Sequence, residues 1–267
     1  MLRLVISNQK GGVAKTTTTL TLARFFAEQG RRVLVVDTDP QGCVGLALGI
    51  RSEYFLAHLL VRQHSFDICV QRVLDNLDLL PGSRDTIQAE SMLLNAPARE
   101  YSFRILFEEI EKSYDVVLVD CAPSINMMQT CALVYAQRIL IPVSMDVLAV
   151  HGAVACMETS KVMNRIYRDT DIRTVAFLPV MVDRRFQMTT QTMEFLSGYS
   201  ETHGIPVLPS IRTDQSVARA ARSRKFLADY DPKCKAYEDY LAAAQALCGV
   251  LNVDSRCEEN TPLQATA

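Results

Sequence analysis

Paired cysteines and long apolar runs are both missing from this sequence of 267 residues. Its eight cysteines are scattered without a C-x-x-C pair, so we expect reduced packing residues rather than a disulfide framework or a zinc site. The apolar stretches are of strand length and are interrupted by charge or proline, so no transmembrane helix is expected. The first predicted strand begins at Leu2, which leaves no room for a signal peptide. These absences predict a cytoplasmic protein.

A strong excess of charge of either sign is missing as well. The formal net charge is −2, so any contact with nucleic acid must come from a local patch. Residues 254–267 contain three acidic groups and little apolar material. We therefore expect a single domain over residues 1–252, followed by a disordered tail over 253–267.

Short apolar runs alternate with helical patterns, and several runs are apolar throughout, as strands buried on both faces should be. The predicted strands are Leu2–Ser7, Val33–Val36, Leu77–Leu80, Val116–Val119, Ile139–Val143, Val175–Val180 and Pro206–Leu208. The predicted helices are Thr16–Glu28, Arg99–Lys112, Val147–Arg168, Thr189–His203 and Lys235–Val250. This alternation predicts an α/β fold with a doubly wound, mainly parallel sheet, helices on both faces, and a ligand at the carboxyl ends of the strands.

The segment Asn8–Thr17 joins the first predicted strand to the first predicted helix, which is the setting of a phosphate-binding loop. Its two glycines free the backbone to turn N–H groups around an anion, and the helix N-terminus adds its positive dipole end. The ammonium of Lys15 would lie on the β/γ-phosphates, and the hydroxyl of Thr16 would ligate a bridging Mg²⁺. The alternative is a glycine turn without a ligand. We expect a nucleotide phosphate and Mg²⁺ at this loop, and the residues proposed to bind the nucleotide here are Gly11, Gly12, Val13, Ala14, Lys15, Thr16 and Thr17.

The loop departs from the strict pattern G-x-x-x-x-G-K-[ST], because Gln9 and Ala14 occupy its two glycine positions. It fits K-G-G-x-x-K-[ST]-[ST], with a second lysine at Lys10. On this motif the chain resembles the ParA/MinD/Soj family of deviant Walker A ATPases, and within it the ParA-type partition ATPases. The resemblance implies a P-loop NTPase fold and an ATP-bound homodimer, in which Lys10 reaches the nucleotide of the partner subunit while Lys15 acts within its own.

Carboxylates follow two further predicted strands. In the run Asp37-Thr38-Asp39-Pro40-Gln41-Gly42, the resemblance implies that Asp39 orients or activates water and that Asp37 supports Mg²⁺. The alternative is a polar turn in which an aspartate caps a helix. Asp120 ends the strand that leads into Cys121-Ala122-Pro123-Ser124, an arrangement similar to Walker B, in which the carboxylate holds Mg²⁺ directly or through water.

Two more segments match the family. The run Leu178–Arg185 resembles its region near the adenine, which makes Met181 and Asp183 candidates for nucleotide binding. Basic residues then gather within fourteen positions. The candidates for DNA binding there are Arg212, Arg219, Arg222 and Arg224, and Lys225 lies beside them. The resemblance implies contact with DNA phosphates without sequence reading in the ATP-bound dimer, whereas a charge run by itself favours a solvated helix face.

The resemblance implies a slow ATPase that binds double-stranded nucleoid DNA and positions a plasmid, a chromosome or a protein organelle such as a carboxysome. A ParB-like or other cargo-adaptor protein would stimulate it. One alternative is a MinD-like regulator on a membrane or protein scaffold, but residues 253–267 lack a basic amphipathic helix, so we expect no membrane partner. Another alternative resembles the nitrogenase iron protein, with Cys121 and Cys156 as candidate cluster ligands. The interpretation as a DNA-binding positioning ATPase predicts a nucleoid-associated protein.

Overall fold

A seven-stranded sheet forms the centre of the computed structural model, which describes residues 1–253. The strands are β1 Leu2–Ile6, β2 Val33–Asp37, β3 Gln71–Leu74, β4 Leu77–Leu80, β5 Val116–Asp120, β6 Arg138–Ser144 and β7 Arg173–Val180. Their order across the sheet is β3-β4-β2-β5-β1-β6-β7. The pairings are parallel except that of the edge strand β3 with β4. The predicted α/β fold is therefore confirmed.

Helices cover both faces of this sheet. They are α1 Lys15–Glu28, α2 Cys43–Leu48, α3 Leu56–Leu60, α4 Phe66–Cys69, α5 Asp85–Leu93, α6 Ser102–Phe107, α7 Met127–Ala136, α8 Val147–Ile166, α9 Gln187–His203, α10 Gln215–Arg222, α11 Leu227–Tyr230 and α12 Lys235–Leu251. Successive strand residues point to opposite faces, so β1 places Leu4 in a core with α1 and α12 and places Val5 in a core with α7 and α8.

Two predicted elements differ from the structure. The predicted helix Arg99–Lys112 is α6 flanked by 3₁₀ turns at Arg99–Tyr101 and Ile110–Ser113. Buried side chains sustain the helical spacing only from Phe103 to Phe107, and charged residues follow. The predicted strand Pro206–Leu208 is reduced to a single bridge between Phe177 and Val207.

Strand register brings the predicted site together. Ile6 pairs with Asp120 across β1 and β5, and Asp37 pairs with Asp120 across β2 and β5. Because the three strands are parallel, the loop after β1 and both carboxylates lie at one edge of the sheet. The predicted tail from residue 254 onward lies outside the described residues, and the single domain over 1–252 remains a proposal.

Candidate nucleotide-binding site

The backbone of the loop after β1 takes up left-handed conformations at two positions. Gly12 has a φ of 75° and Ala14 a φ of 57°, so glycine is required by conformation at Gly12, whereas Ala14 adopts a dihedral that L-residues disfavour. Helix α1 starts directly after Ala14, and its first hydrogen bond runs from Thr18 N–H to the Ala14 carbonyl at 2.9 Å. The N–H groups of the first turn of α1, which lie before Thr18, therefore remain available to an anion.

A buried asparagine anchors this loop to the neighbouring elements. The Asn8 amide donates to the carbonyls of Pro142 and Ala149 at 2.8 and 3.1 Å, and its Oδ1 accepts from Lys10 N–H at 2.9 Å. A Cβ at Gly152 in α8 would lie only 2.2 Å from Asn8 Oδ1. Sequence reasoning missed both anchors, although the polar residue directly after a buried strand is a signal that points to Asn8.

The two lysines of the loop differ in their surroundings. Lys15 is buried, and its Nζ donates to the carbonyls of Asn8 at 3.1 Å and Lys10 at 2.9 Å. Burial lowers the Lys15 pKa, although the nearby Asp120 carboxylate opposes that shift. Lys10 is half-buried, and its Nζ lies 3.3 Å from Asp146 Oδ2. Only Lys15 therefore lies inside the loop, while Lys10 lies at its rim.

The two carboxylates at the strand ends are buried. Asp120 accepts hydrogen bonds from the hydroxyls of Thr16 at 2.7 Å and Thr19 at 3.0 Å. Asp37 accepts from the backbone N–H groups of Asp39 and Val44, both at 3.0 Å. Burial raises the Asp120 pKa to about 6, and it raises the Asp37 pKa well above its ordinary range. Such a pair is costly to keep ionised unless a cation lies nearby.

This donor set fits a magnesium nucleotide rather than a site built by protein alone. Within residues 1–253 no group of three or more His, Cys, Asp or Glu side chains is arranged to hold a metal. Mg²⁺ characteristically takes one or two protein oxygens and completes its shell with phosphate and water. The hydroxyl of Thr16 and the carboxylate of Asp120, which are hydrogen-bonded to each other, lie next to the amides at the start of α1. Their role as Mg²⁺ ligands remains a prediction. Beside Gly12, an added Cβ would meet nothing within 4 Å, so the loop has open space before it.

Asp39 differs from the two buried carboxylates because it is only partly buried. Its Oδ1 accepts from Gln41 N–H at 2.8 Å. The turn packs closely against Gly82, since a Cβ at Gly82 would lie 2.6 Å from the Asp39 carbonyl oxygen. The Asp39 turn therefore lies next to the buried Asp37, to which its own N–H donates, and the role of Asp39 in orienting water remains a prediction.

The region predicted to lie near adenine occupies the same sheet edge, but two strands away from β1. Met181 follows β7 with a φ of 56° and is exposed. The Asp183 carboxylate pairs with Arg185, which lowers the Asp183 pKa to about 2. Neither side chain contacts the phosphate loop among the hydrogen bonds and ion pairs of residues 1–253. Their predicted contact with the nucleotide remains a prediction.

The predicted DNA-binding arginines fall into two groups. Arg212 donates to both carboxylate oxygens of Asp239 at 2.7 Å. We name the remaining exposed cations the basic surface, which consists of Arg219, Arg222, Arg224 and Lys225. Within residues 1–253 no ion pair neutralises the basic surface. Arg212 thus presents less free charge than its neighbours in sequence, and its role in DNA binding stays a prediction.

The cysteines considered for a metal cluster are unsuited to one. Cys121 and Cys156 are 1% and 4% exposed, so neither reaches a surface that a second subunit could share. The seven cysteines within residues 1–253 are free, and six of them are buried. In the same part of the chain, every helix is too short or too polar to cross a bilayer.

The sheet, the phosphate loop and the carboxylates define a P-loop nucleotide-binding domain. A family model described as an AAA domain matches residues 1–172. Soj, the sporulation initiation inhibitor protein of Bacillus subtilis, is 30% identical over 246 residues, 91% of this chain and 96% of Soj. The chromosome partitioning protein ParA of Myxococcus xanthus is 31% identical over 91% of this chain and 87% of its own.

A solved structure has a similar fold. Cobyrinic acid a,c-diamide synthase from Mycobacterium smegmatis, with bound ATP analog and magnesium, is 29% identical, with a TM-score of 0.80 over 96% of this chain and 97% of that one. This chain belongs to the ParA/MinD/Soj family of deviant Walker A ATPases, whose members include partitioning and positioning ATPases.

Proposed function

We propose that this protein is a Mg²⁺-dependent ATPase that dimerises with ATP and, as a dimer, binds duplex DNA without sequence preference. The observation that carries the proposal is the contrast between the two lysines of one loop. Lys15 is buried among the loop carbonyls, while Lys10 lies at the rim, where a second subunit can approach. A lysine at such a rim can reach the nucleotide of a partner subunit once its ion pair with Asp146 opens.

The residues divide the chemistry among them. The amides at the start of α1 and the Lys15 ammonium bind the phosphates. Thr16 and Asp120 would hold Mg²⁺, and Asp37 would support its hydration; the bound metal would neutralise charge at the phosphates. Asp39 orients the attacking water. With Lys10 supplied only by the partner subunit, turnover should be slow until a dimer forms.

The DNA and cargo steps rest on the basic surface and on the family. Exposed, unpaired cations bind phosphate through counterion release, which gives affinity without reading sequence. A cargo-bound adaptor, ParB-like or of another kind, would stimulate hydrolysis and release the dimer from the nucleoid. The cargo is a plasmid, a chromosome or a protein organelle such as a carboxysome.

Asp39→Ala tests this cycle. The substitution removes the water-orienting carboxylate but leaves Lys15 and the amides, so ATP should still bind and a DNA-bound dimer should accumulate. Light scattering gives the dimer fraction, and single-turnover phosphate release gives the rate, which should fall more than about 100-fold. A variant that stays monomeric when ATP is added would contradict the role of Asp39.

Asp75→Ala is the matched control, because Asp75 is exposed in the β3–β4 turn at the opposite end of the strands. It should hydrolyse ATP like the wild type.

If the wild-type dimer forms with ATP but does not bind DNA, a membrane or protein scaffold replaces DNA as the surface on which the ATP-dependent dimer acts.

A further inference from the structure

Helix α2 ends in direct contact with the basic surface. Its C-cap is Gly49, which has a φ of 69°. A Cβ at Gly49 would lie 2.6 Å from Arg224 Cδ and 3.1 Å from Arg224 Cβ. The side chain of Arg224 therefore lies across the end of α2, and only a glycine leaves it room.

Helix α2 is also tied to the carboxylates of the nucleotide site. It begins one residue after Gly42, where the run that contains Asp37 and Asp39 ends. The N–H of Val44 in its first turn donates to Asp37 Oδ2 at 3.0 Å. A helix of six residues that is anchored to Asp37 at one end and contacts Arg224 at the other would move as one unit. A shift of the carboxylates on nucleotide binding would then be passed to the far end of α2.

The turn after α2 carries a cation of its own. Arg51 is exposed and follows Gly49 by two residues, so their Cα atoms are no more than about 7 Å apart. Within residues 1–253 Arg51 has no ion pair, in common with Arg224 and Lys225. Arg212, by contrast, is held by Asp239 at 2.7 Å and lies 3.8 Å from Glu238.

We propose that Arg51 forms a single phosphate-binding surface with Arg224 and Lys225, and that the nucleotide controls this surface by moving its α2 half. The inference rests on the proposed binding of duplex DNA. Arg224 and Lys225 follow α10 in the chain, whereas Arg51 follows α2. DNA bridges both halves only when α2 holds Arg51 beside Arg224, which makes the contact depend on the state of Asp37 and Asp39.

Arg51→Ala in the full chain tests the proposal. Binding to a mixed-sequence DNA duplex is measured at several salt concentrations with ATP and Mg²⁺, and without nucleotide. With ATP the affinity should fall about tenfold, and the slope of log K against log salt should shrink by about one unit, as the loss of one phosphate contact predicts. Dimerisation with ATP should be unchanged. Without nucleotide, the residual affinity of variant and wild type should be equal.

Two matched controls separate charge from shape. Glu53 is exposed in the same turn and carries the opposite charge, so Glu53→Ala should keep or raise DNA affinity. Arg168 is an exposed arginine beyond the far end of α8, and Arg168→Ala should bind DNA like the wild type. Equal weakening by Arg51→Ala and Glu53→Ala would mean that the shape of the turn matters, and it would overturn the inference.

The outcomes distinguish this inference from the proposed function. A wild type that fails to bind DNA in every nucleotide state refutes the proposed function and the inference together. A wild type that binds with ATP, with the same salt slope in Arg51→Ala, refutes the inference alone. Weakening of equal size with and without nucleotide would show that both halves are always assembled, which refutes control by α2.

Discussion

The phosphate loop and the basic surface lie in one chain, yet their charged and polar groups are held in different ways. Asn8 and Lys15 are buried, and each makes two or more hydrogen bonds at 2.8 to 3.1 Å. Arg222 and Arg224 are exposed, and neither belongs to an ion pair within residues 1–253. A buried polar group must have partners, whereas an exposed cation has water.

This difference predicts how each region responds to substitution. Changes in the phosphate loop should alter folding stability and nucleotide binding together, because the same hydrogen bonds serve both. Changes on the basic surface should alter only DNA affinity, since little of the folded structure depends on those side chains. Arg212 is the exception that sharpens the comparison, because it is exposed but held by Asp239.

The largest effect should come from Gly152→Ala. The new Cβ would lie 2.2 Å from Asn8 Oδ1 and 3.0 Å from Lys10 N, so the loop must move. We expect the free energy of unfolding to fall by about 2 kcal/mol and ATP affinity to fall more than about tenfold, measured by denaturant unfolding and calorimetry. Gly198→Ala in α9 is the control, since its Cβ meets nothing within 4 Å. It should raise stability by about 0.5 kcal/mol.

Asp120→Asn should stabilise the ligand-free protein while it abolishes Mg²⁺-dependent hydrolysis. Burial raises the Asp120 pKa from its ordinary 3.8 to about 6, so the folded protein holds the proton more tightly than the unfolded chain. Its contribution to the free energy of unfolding therefore falls as pH rises from about 4 to about 6. The variant should be about 3 kcal/mol more stable above pH 6 and of equal stability below about pH 4. A constant difference in urea unfolding across this range would contradict the assignment.

Ala14→Gly should stabilise the phosphate loop. Ala14 has a φ of 57° at the N-cap of α1, where a Cβ costs about 1 kcal/mol and glycine is the better cap. The free energy of unfolding should rise by about that amount. Thermal unfolding measures it, and a lower melting temperature would show that the loop tolerates the methyl group without strain.

Arg212→Ala should have the smallest effect, and it should distinguish Arg212, which pairs with Asp239, from the arginines of the basic surface. Loss of its exposed pair with Asp239 should reduce the free energy of unfolding only slightly and change DNA affinity less than about twofold. Arg222→Ala should do the opposite, with weaker DNA binding and unchanged stability. If both variants lose DNA affinity equally, the ion pair does not withdraw Arg212 from DNA.

The sequence was sufficient to predict those parts of the site in which the local backbone conformation requires particular residue types. Gly12, Lys15 and Asp120 were predicted from their spacing after strands, and the sheet register brings their segments together. Helix α7 was missed because it is buried on nearly all sides and shows no polar face. The strand β3 was missed because its residues are only partly buried and form no apolar run.

Contacts between distant segments could not be predicted. The pairing of Arg212 with Asp239, the packing of Gly152 on Asn8, and the position of Arg224 over Gly49 join residues that are 27, 144 and 175 positions apart. Neither composition nor periodicity carries such information. The roles of the predicted site residues remain predictions, which the variants above test.

The measurement that tests the account most directly is the binding of duplex DNA by the wild type without nucleotide, with ADP, and with ATP and Mg²⁺, at two salt concentrations. The account predicts binding only with ATP and Mg²⁺, and weaker binding at the higher salt because phosphate contacts release counterions. Equal binding in all three nucleotide states, or no binding in any of them while the ATP-dependent dimer still forms, would contradict it.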